Sequence, residues 1–404
     1  MCREKLKHFL ETKPLYYKEI NHERVHHAYD RLKSHIDHPE TVHIVGTNGK
    51  GSTGRMIAYL AYTNTTHYPL PTKHLSVGHY SSPHILKFNE RLWLDGEDAS
   101  DAVLEEAHQK LFAILGKEMA DALSYFEYTT LLAFVVFENC DLMVLEAGLG
   151  GEFDATNVCD KELSVITPIG IDHQAFLGES IEEIAATKIR SIQKQVLLAP
   201  QVYVEVFEVA KEIALEKGAV LRQAQEPTTM KAGTMFTELV EVAKVKGWGD
   251  YLIDNAMVAL EALDILDIHY HINDLMGLEL FGRFYALTEN IRIDVGHNPL
   301  AAKAIEEALN EKVVLIYNSL DDKDYEEVLR ILKPKVKRVE IIAIDSQRAT
   351  TLTEIEKALE TVGLPYTHFN NNIEDDENYL VFGSFYTVEA FLKSIGTSNS
   401  FEDK

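Results

Sequence analysis

Short apolar runs and stretches of helical spacing alternate along most of this chain. Residues 41–45, 141–146, 163–167 and 195–199 are compact β-prone runs of the kind that form buried strands. Between and after them, apolar residues recur at helical spacing over 55–61, 98–115, 126–138, 182–189 and 202–217. Residues 74–79 add a short strand, residues 1–38 read as short helices rich in His and Lys, and 64–73 read as a polar, Pro-containing loop. Strands alternating with helices predict a mainly parallel sheet with helices on both faces. Residues 222–249 mix β-prone and polar positions without a period and receive no assignment. A helix is expected over 251–266. Past Phe281-Gly282-Arg283 a second alternation begins, with strands at 291–294, 313–317, 339–344 and 379–382. Helices at 299–309, 325–332, 352–360 and 387–394 separate and follow them, so this part reads as a small Rossmann-like unit. It lacks the G-x-G-x-x-G fingerprint of dinucleotide binding. No internal repeat is present, and the last residues read as a frayed tail.

The first strand runs into Gly46-Thr47-Asn48-Gly49-Lys50-Gly51-Ser52-Thr53, which precedes a helix. Glycines let backbone N–H groups turn toward an anion, and the helix aims its positive end at the same point. Lys50 would meet β/γ-phosphate charge, and Ser52 or Thr53 could hold Mg²⁺. The spacing departs from the strict phosphate-loop motif: Ile44 stands where the first glycine belongs, and Gly51 separates the lysine from the hydroxyl. A glycine-rich turn without a ligand is the alternative reading.

Further chemistry collects at strand ends, where ligands gather in parallel α/β sheets. Glu146 closes one apolar strand and is followed by Gly148, Gly150 and Gly151, then Asp154-Ala155-Thr156-Asn157. It reads equally as a metal ligand or base and as a capping acid before a flexible turn. Asp172-His173 follows the next strand, and Lys188 lies on the helix beyond; a structural pair and a solvated charge are the plainer readings. In the second half, Asn298 and Pro299 suit a helix start, which leaves Asp294 and His297 without a structural role. At 404 residues the chain is too long for one ordinary core, so two domains are expected, 1–284 and 285–404. The net charge of −25 argues against nucleic acid or an anionic membrane as the main partner. Three cysteines form no metal or disulfide pattern. No apolar run suits a signal peptide or a membrane span, so a cytoplasmic chain is expected.

Taken in order, the motifs resemble folylpolyglutamate synthase and dihydrofolate synthase, within the Mur-ligase superfamily. They are residues 43–53, Ser81-Ser82-Pro83-His84, Asn89-Glu90-Arg91, 126–130, 146–157, 172–178, 281–283, 294–299 and 383–386. The resemblance implies an α/β fold: an N-terminal phosphate-loop ATPase domain with a mainly parallel sheet, and a smaller C-terminal Rossmann-like domain. It implies an ATP-dependent ligase that phosphorylates a folate or dihydropteroate carboxylate and then joins it to L-glutamate. Gly46 through Thr53 would bind ATP, with Asn255, Arg283 and Asp294. Lys50, Lys188 and His297 would be catalytic. Ser52, Glu146, His173 and Lys188 would hold Mg²⁺ at two sites, with K⁺ as a further cofactor and Lys188 carbamylated. Ser82, Pro83, His84, Asn89, Arg91 and Asp154 would shape the folate pocket. A monomer is implied. The chain departs from the family pattern at Glu152, where a basic residue is common, at Lys188-Ile189-Arg190-Ser191, at Phe281 and at Val295-Gly296. A Mur-type ligase acting on a cell-wall precursor and a non-catalytic nucleotide-binding module are the competing readings.

Overall fold

The structure is a computed structural model describing residues 5–14, 23–64, 75–225 and 234–396. It divides into two compact units, residues 1–231 with 255–275, and residues 232–254 with 276–404.

The first unit is built on eight strands. They are β1 (Glu40–Val45), β2 (Val77–Tyr80), β3 (Leu92–Leu94), β4 (Glu97–Asp98), β5 (Leu142–Glu146), β6 (Leu163–Ile166), β7 (Gln195–Leu198) and β8 (Val220–Gln223). Their order is β4-β3-β2-β5-β1-β6-β7-β8. All pairings from β2 to β8 are parallel, and β3 and β4 extend the edge antiparallel. From β1 the chain passes over β5 to β2 on one side, and from β5 it crosses β1 to β6 on the other, so strand order reverses at β1, and ligands collect beyond such a point. Strands β1, β5 and β6 are apolar almost throughout because both faces are covered.

Helices Asp101–Ala122 and Tyr125–Val136 bring Leu111, Tyr128 and Phe134 onto Met143 and Leu145. Helices Ile181–Ile189 and Val204–Lys217 continue that layer with Ile184 and Ile213 beside Ile166 and Val196. Burying each such side chain stabilises the fold by roughly 1.5–3 kcal/mol before entropy is counted. Side chains alternate along β5, so Val144 and Glu146 face the opposite layer, where helix Lys50–Thr63 packs.

In the second unit the order is β13-β12-β11-β14-β10-β9. These strands are β9 (Tyr285–Ala286), β10 (Ile291–Ile293), β11 (Val313–Tyr317), β12 (Val336–Ile341), β13 (Tyr366–His368) and β14 (Tyr379–Phe382). Only β9 runs antiparallel to its neighbour. Helices Pro299–Ala308, Tyr325–Leu332 and Leu352–Val362 bury Ile305, Val328 and Ile355 against Leu315, Val339 and Leu380.

The main strands and helices stand where the pattern places them, with instructive differences. Residues 222–249, given no assignment from sequence, contain helix Thr234–Lys246. Its stripe is Leu239, Val242 and Ala243, and the exposed Val245 blurs the period. Strands β3, β4, β9 and β13 are two or three residues long, too short to carry a period. The expected helix over 98–115 is Asp101–Ala122, started by Ser100, whose hydroxyl accepts from Val103 N–H, and bent at Gly116. Most of the loop at 64–73, His74 and the expected tail lie outside the described residues. Among the described residues, no helix is long and apolar enough to cross a membrane.

Candidate active site

The loop between β1 and helix Lys50–Thr63 sits at the reversal point. The helix starts at Lys50, five residues before its apolar period, because Gly49 takes the left-handed conformation (φ 83°) that closes the loop. The N–H groups of Thr47 and Asn48 both donate to Pro168 O, at 3.0 and 3.1 Å, which ties the loop to the chain leaving β6. Lys50 Nζ donates to the carbonyls of Gly46 and Thr47, each at 3.3 Å, and lies 3.9 Å from Glu146 Oε1. Ser52 is buried; its Oγ donates to Gly49 O and accepts from Asn255 Nδ2 at 2.8 Å. Helix residue Asn255 thus bonds to the loop through Ser52. Thr53 Oγ1 is buried with no hydrogen-bond partner among the described residues.

Glu146 links this loop to the segment after β2. Its Oε1 faces Lys50, while Oε2 accepts from Ser82 N–H at 3.3 Å. The segment 81–91 is held by its own charged residues. Glu90 accepts from the N–H groups of Ile85, Leu86 and Lys87 at 2.6–2.8 Å. Burial pushes its carboxyl up, and those three N–H groups pull the other way. Arg91 Nε donates to His84 Nδ1 at 2.8 Å, and the guanidinium lies 5.4 Å from the Tyr125 ring centroid. Burial, then the Arg91 charge, lowers the His84 imidazole to about 4. Asn89 Nδ2 donates to Ala99 O and Asp101 Oδ1. Of the residues expected in the folate pocket, Asn89 and the His84–Arg91 pair are therefore engaged in shaping the segment.

The glycine-rich loop after β5 is latched by Asp154. One carboxylate oxygen accepts from Leu149 N–H at 2.8 Å, the other from Thr156 N–H and Oγ1 at 3.0 and 2.6 Å. Thr156 Oγ1 also lies 2.8 Å from Nε2 of the wholly buried His43, whose imidazole burial holds well below its ordinary range. Lys161, equally buried, donates to Asn157 Oδ1 and Ser191 O; burial lowers its ammonium to about 8. Sequence reasoning placed Thr156 in a motif without a role and gave Lys161 none, the signal for Lys161 being a lysine beside an apolar strand.

Lys188 is buried on helix Ile181–Ile189, and its Nζ donates 2.9 Å to Gly46 O. Glu152 N–H donates to Thr187 O, and Arg190 Nη1 lies 3.3 Å from Glu152 Oε2. Two departures from the family pattern, Glu152 and Arg190, are thus one ion pair between the loop and the Lys188 helix. His173 follows β6 in a left-handed conformation (φ 52°), its N–H held by Asp172 Oδ1 at 2.8 Å.

In the second unit, two sequence motifs converge on Asp294. Its carboxylate accepts from Phe284 N–H at 2.8 Å, Gly296 N–H at 2.7 Å and Tyr251 Oη at 3.1 Å. Burial raises its carboxyl, with Arg283 opposing. Arg283 lies over the Phe385 ring at 5.3 Å, and His297 Nδ1 lies 3.1 Å from Val295 O. Asn298 caps helix Pro299–Ala308 through Ala301 N–H, as expected.

No protein-family model matches the chain. Known proteins do. A Buchnera aphidicola (subsp. Schizaphis graminum) dihydrofolate synthase/folylpolyglutamate synthase is 30% identical over 380 residues, 86% of this chain and 86% of its own. The crystal structure of Helicobacter pylori folylpolyglutamate synthetase is 40% identical, with a TM-score of 0.76, covering 97% of this chain and 98% of that one. The chain belongs to the dihydrofolate synthase/folylpolyglutamate synthase family. A bifunctional folylpolyglutamate synthase/dihydrofolate synthase of Yersinia pestis, in complex with AMPPNP and a manganese ion, is 25% identical with a TM-score of 0.78. It covers 96% of each chain. The loop 46–53, the segment 81–91 and Glu146 follow the carboxyl ends of β1, β2 and β5, and the Lys188 helix follows β6.

Proposed function

We propose that this synthase-family chain joins L-glutamate to the carboxylate of a folate or dihydropteroate acceptor at the expense of ATP, using the phosphate loop and Glu146. The observation that carries the reading is Glu146 itself, with one oxygen 3.9 Å from Lys50 Nζ and the other accepting from Ser82 N–H. One carboxylate therefore touches the loop suited to phosphates and the segment whose motif marks the acceptor. A carboxylate is a poor electrophile; transfer of the γ-phosphoryl group to its oxygen supplies a leaving group. The glutamate amine then attacks the acyl carbon, and phosphate departs as the amide forms. Little covalent work falls to the protein, so rate comes from positioning and charge neutralisation. Loop N–H groups and the Lys50 ammonium would meet the phosphates, and Asn255 fixes Ser52.

Ser52 Oγ, the Glu146 carboxylate and His173 would hold a divalent cation. Two of the three are hard oxygen donors, one of them a carboxylate, which fits Mg²⁺. When bound, the cation neutralises phosphate charge. We also assign Lys188 as a carbamate site: its amine is buried and bonded to the phosphate loop at Gly46 O, where a carbamate would add hard oxygen donors of the kind Mg²⁺ prefers. Lys188→Ala should lose activity and regain part of it with added short-chain carboxylates. Full wild-type activity in CO₂-free buffer would remove the carbamate.

The test of function is purified protein with Mg-ATP and L-glutamate, offered dihydropteroate or a reduced folate separately, with products read by mass. A mass gain of one glutamyl residue with stoichiometric ADP is expected. No glutamate-dependent ADP release with either acceptor would reject the reading. The acceptor that reacts also distinguishes dihydrofolate synthase from folylpolyglutamate synthase activity.

A further inference from the structure

Helix Lys50–Thr63 carries one cation in its middle, Arg55, which the phosphate loop does not use. It lies over a row of side chains that crosses the antiparallel edge of the sheet. His79 of β2 pairs directly with Trp93 of β3, and Trp93 with Asp98 of β4, so all three share the face toward the helix. Arg55 Nε donates to His79 Nδ1 at 3.1 Å, and the guanidinium stacks 5.0 Å from the Trp93 ring centroid. The helix approaches His79 as closely as chemistry allows, because Gly54 faces it. A Cβ there would lie 2.6 Å from His79 Nε2. Burial, the largest effect, lowers the Arg55 guanidinium to about 10, with Asp98, Glu146 and Glu90 raising it. It stays cationic at neutral pH.

These contacts have a direction. Strands β2 and β3 are the two ends of segment 81–91: Ser81 N–H donates to Arg91 O where the segment closes. Arg55 grips the strand before that segment through His79 and the strand after it through Trp93. It does so from the helix whose first turn is Lys50, and its charge acts on Glu146, which touches both Lys50 and Ser82.

We propose that Arg55 is a positioning residue for the ligation reaction, holding the acceptor segment 81–91 at a fixed offset from the phosphate loop. In this role it acts through His79 and Trp93 rather than on the reactants. Arg55 sets where the acceptor carboxylate is presented, while the nucleotide is held by the loop itself. The proposal rests on the reading of 46–53 as the phosphate loop and 81–91 as acceptor segment.

The test is steady-state kinetics of Arg55→Lys and Arg55→Gln, with KM for acceptor and for ATP measured separately, beside binding of a fluorescent ATP analogue and thermal unfolding. Arg55→Gln should raise acceptor KM by about tenfold, the size of one lost charge-assisted hydrogen bond, and leave ATP KM within about twofold. Arg55→Lys keeps the charge but has no Nε to give His79, and should fall between wild type and Gln. Acceptor KM unchanged in both variants, or acceptor and ATP KM rising together, would overturn the positioning role. Should Arg55→Gln fail to fold, the Lys variant carries the same comparison. Failure of the underlying functional reading would appear differently, as absence of ligation in the wild-type protein.

Discussion

Lys50 and His84 show how far one side chain can be read. Lys50 meets loop carbonyls and Glu146, while the loop is separately tied by the N–H groups of Thr47 and Asn48 to Pro168 O. Lys50→Ala should therefore unfold cooperatively near the wild-type midpoint while turnover falls by about a hundredfold or more, as loss of a preorganised charge in a dry site predicts. Unaltered turnover would remove the phosphate-loop assignment. His84 makes a pH prediction. Its ordinary pKa of 6.5 applies in the unfolded chain, and burial brings it to about 4 when folded. A depressed pKa means the unfolded state binds the proton first, so stability from neutral His84 is complete above about pH 6.5 and lost toward pH 4. His84→Asn should flatten the acid limb of stability measured by urea unfolding between pH 4 and 7. Residues in recognisable motifs were legible because their chemistry is unusual at that spacing. Arg55 and Lys161 were not, since a lone cation beside apolar residues reads from sequence as a solvated charge; only the fold shows what they grip.

The loop between β5 and β6 is the element that depends most on a few polar atoms. Thr156 joins Asp154 to the buried His43, so Thr156→Val takes a donor from the Asp154 carboxylate and an acceptor from the His43 ring nitrogen. A loss of about 1–3 kcal/mol is expected in denaturant unfolding, together with weaker acceptor binding. The Glu152–Arg190 pair is partly exposed, and a double-mutant cycle should return no more than about 1 kcal/mol. Charge reversal of both residues should keep activity that either reversal alone lowers; equal activity in all variants would show that the pair does not hold the loop. At this scale the sequence announces long, strongly periodic elements. It hides β3, β4, β9 and β13, which are defined by pairing partners rather than by their own pattern, and helix Thr234–Lys246, whose exposed valine imitates a buried position.

Across the whole molecule, each unit has its own core and one of the two tryptophans, Trp93 in the first and Trp248 in the second. Single-tryptophan variants therefore report each unit separately. With an ATP analogue at one hundred times its Kd, unfolding followed by Trp93 in Trp248→Phe should gain up to about 2.7 kcal/mol. No gain would place the nucleotide elsewhere than the loop of the first unit. The second sheet has a consequence in time. Strand β14, the last to be synthesised, lies between β10 and β11, both made long before it. At roughly 5–20 residues per second, the nascent chain holds two unjoined half-sheets for on the order of ten seconds. Each presents an unpaired apolar edge of the kind that invites pairing with another chain. A message cut short before Tyr379 would leave that state permanent: a finished first unit attached to an aggregation-prone remnant.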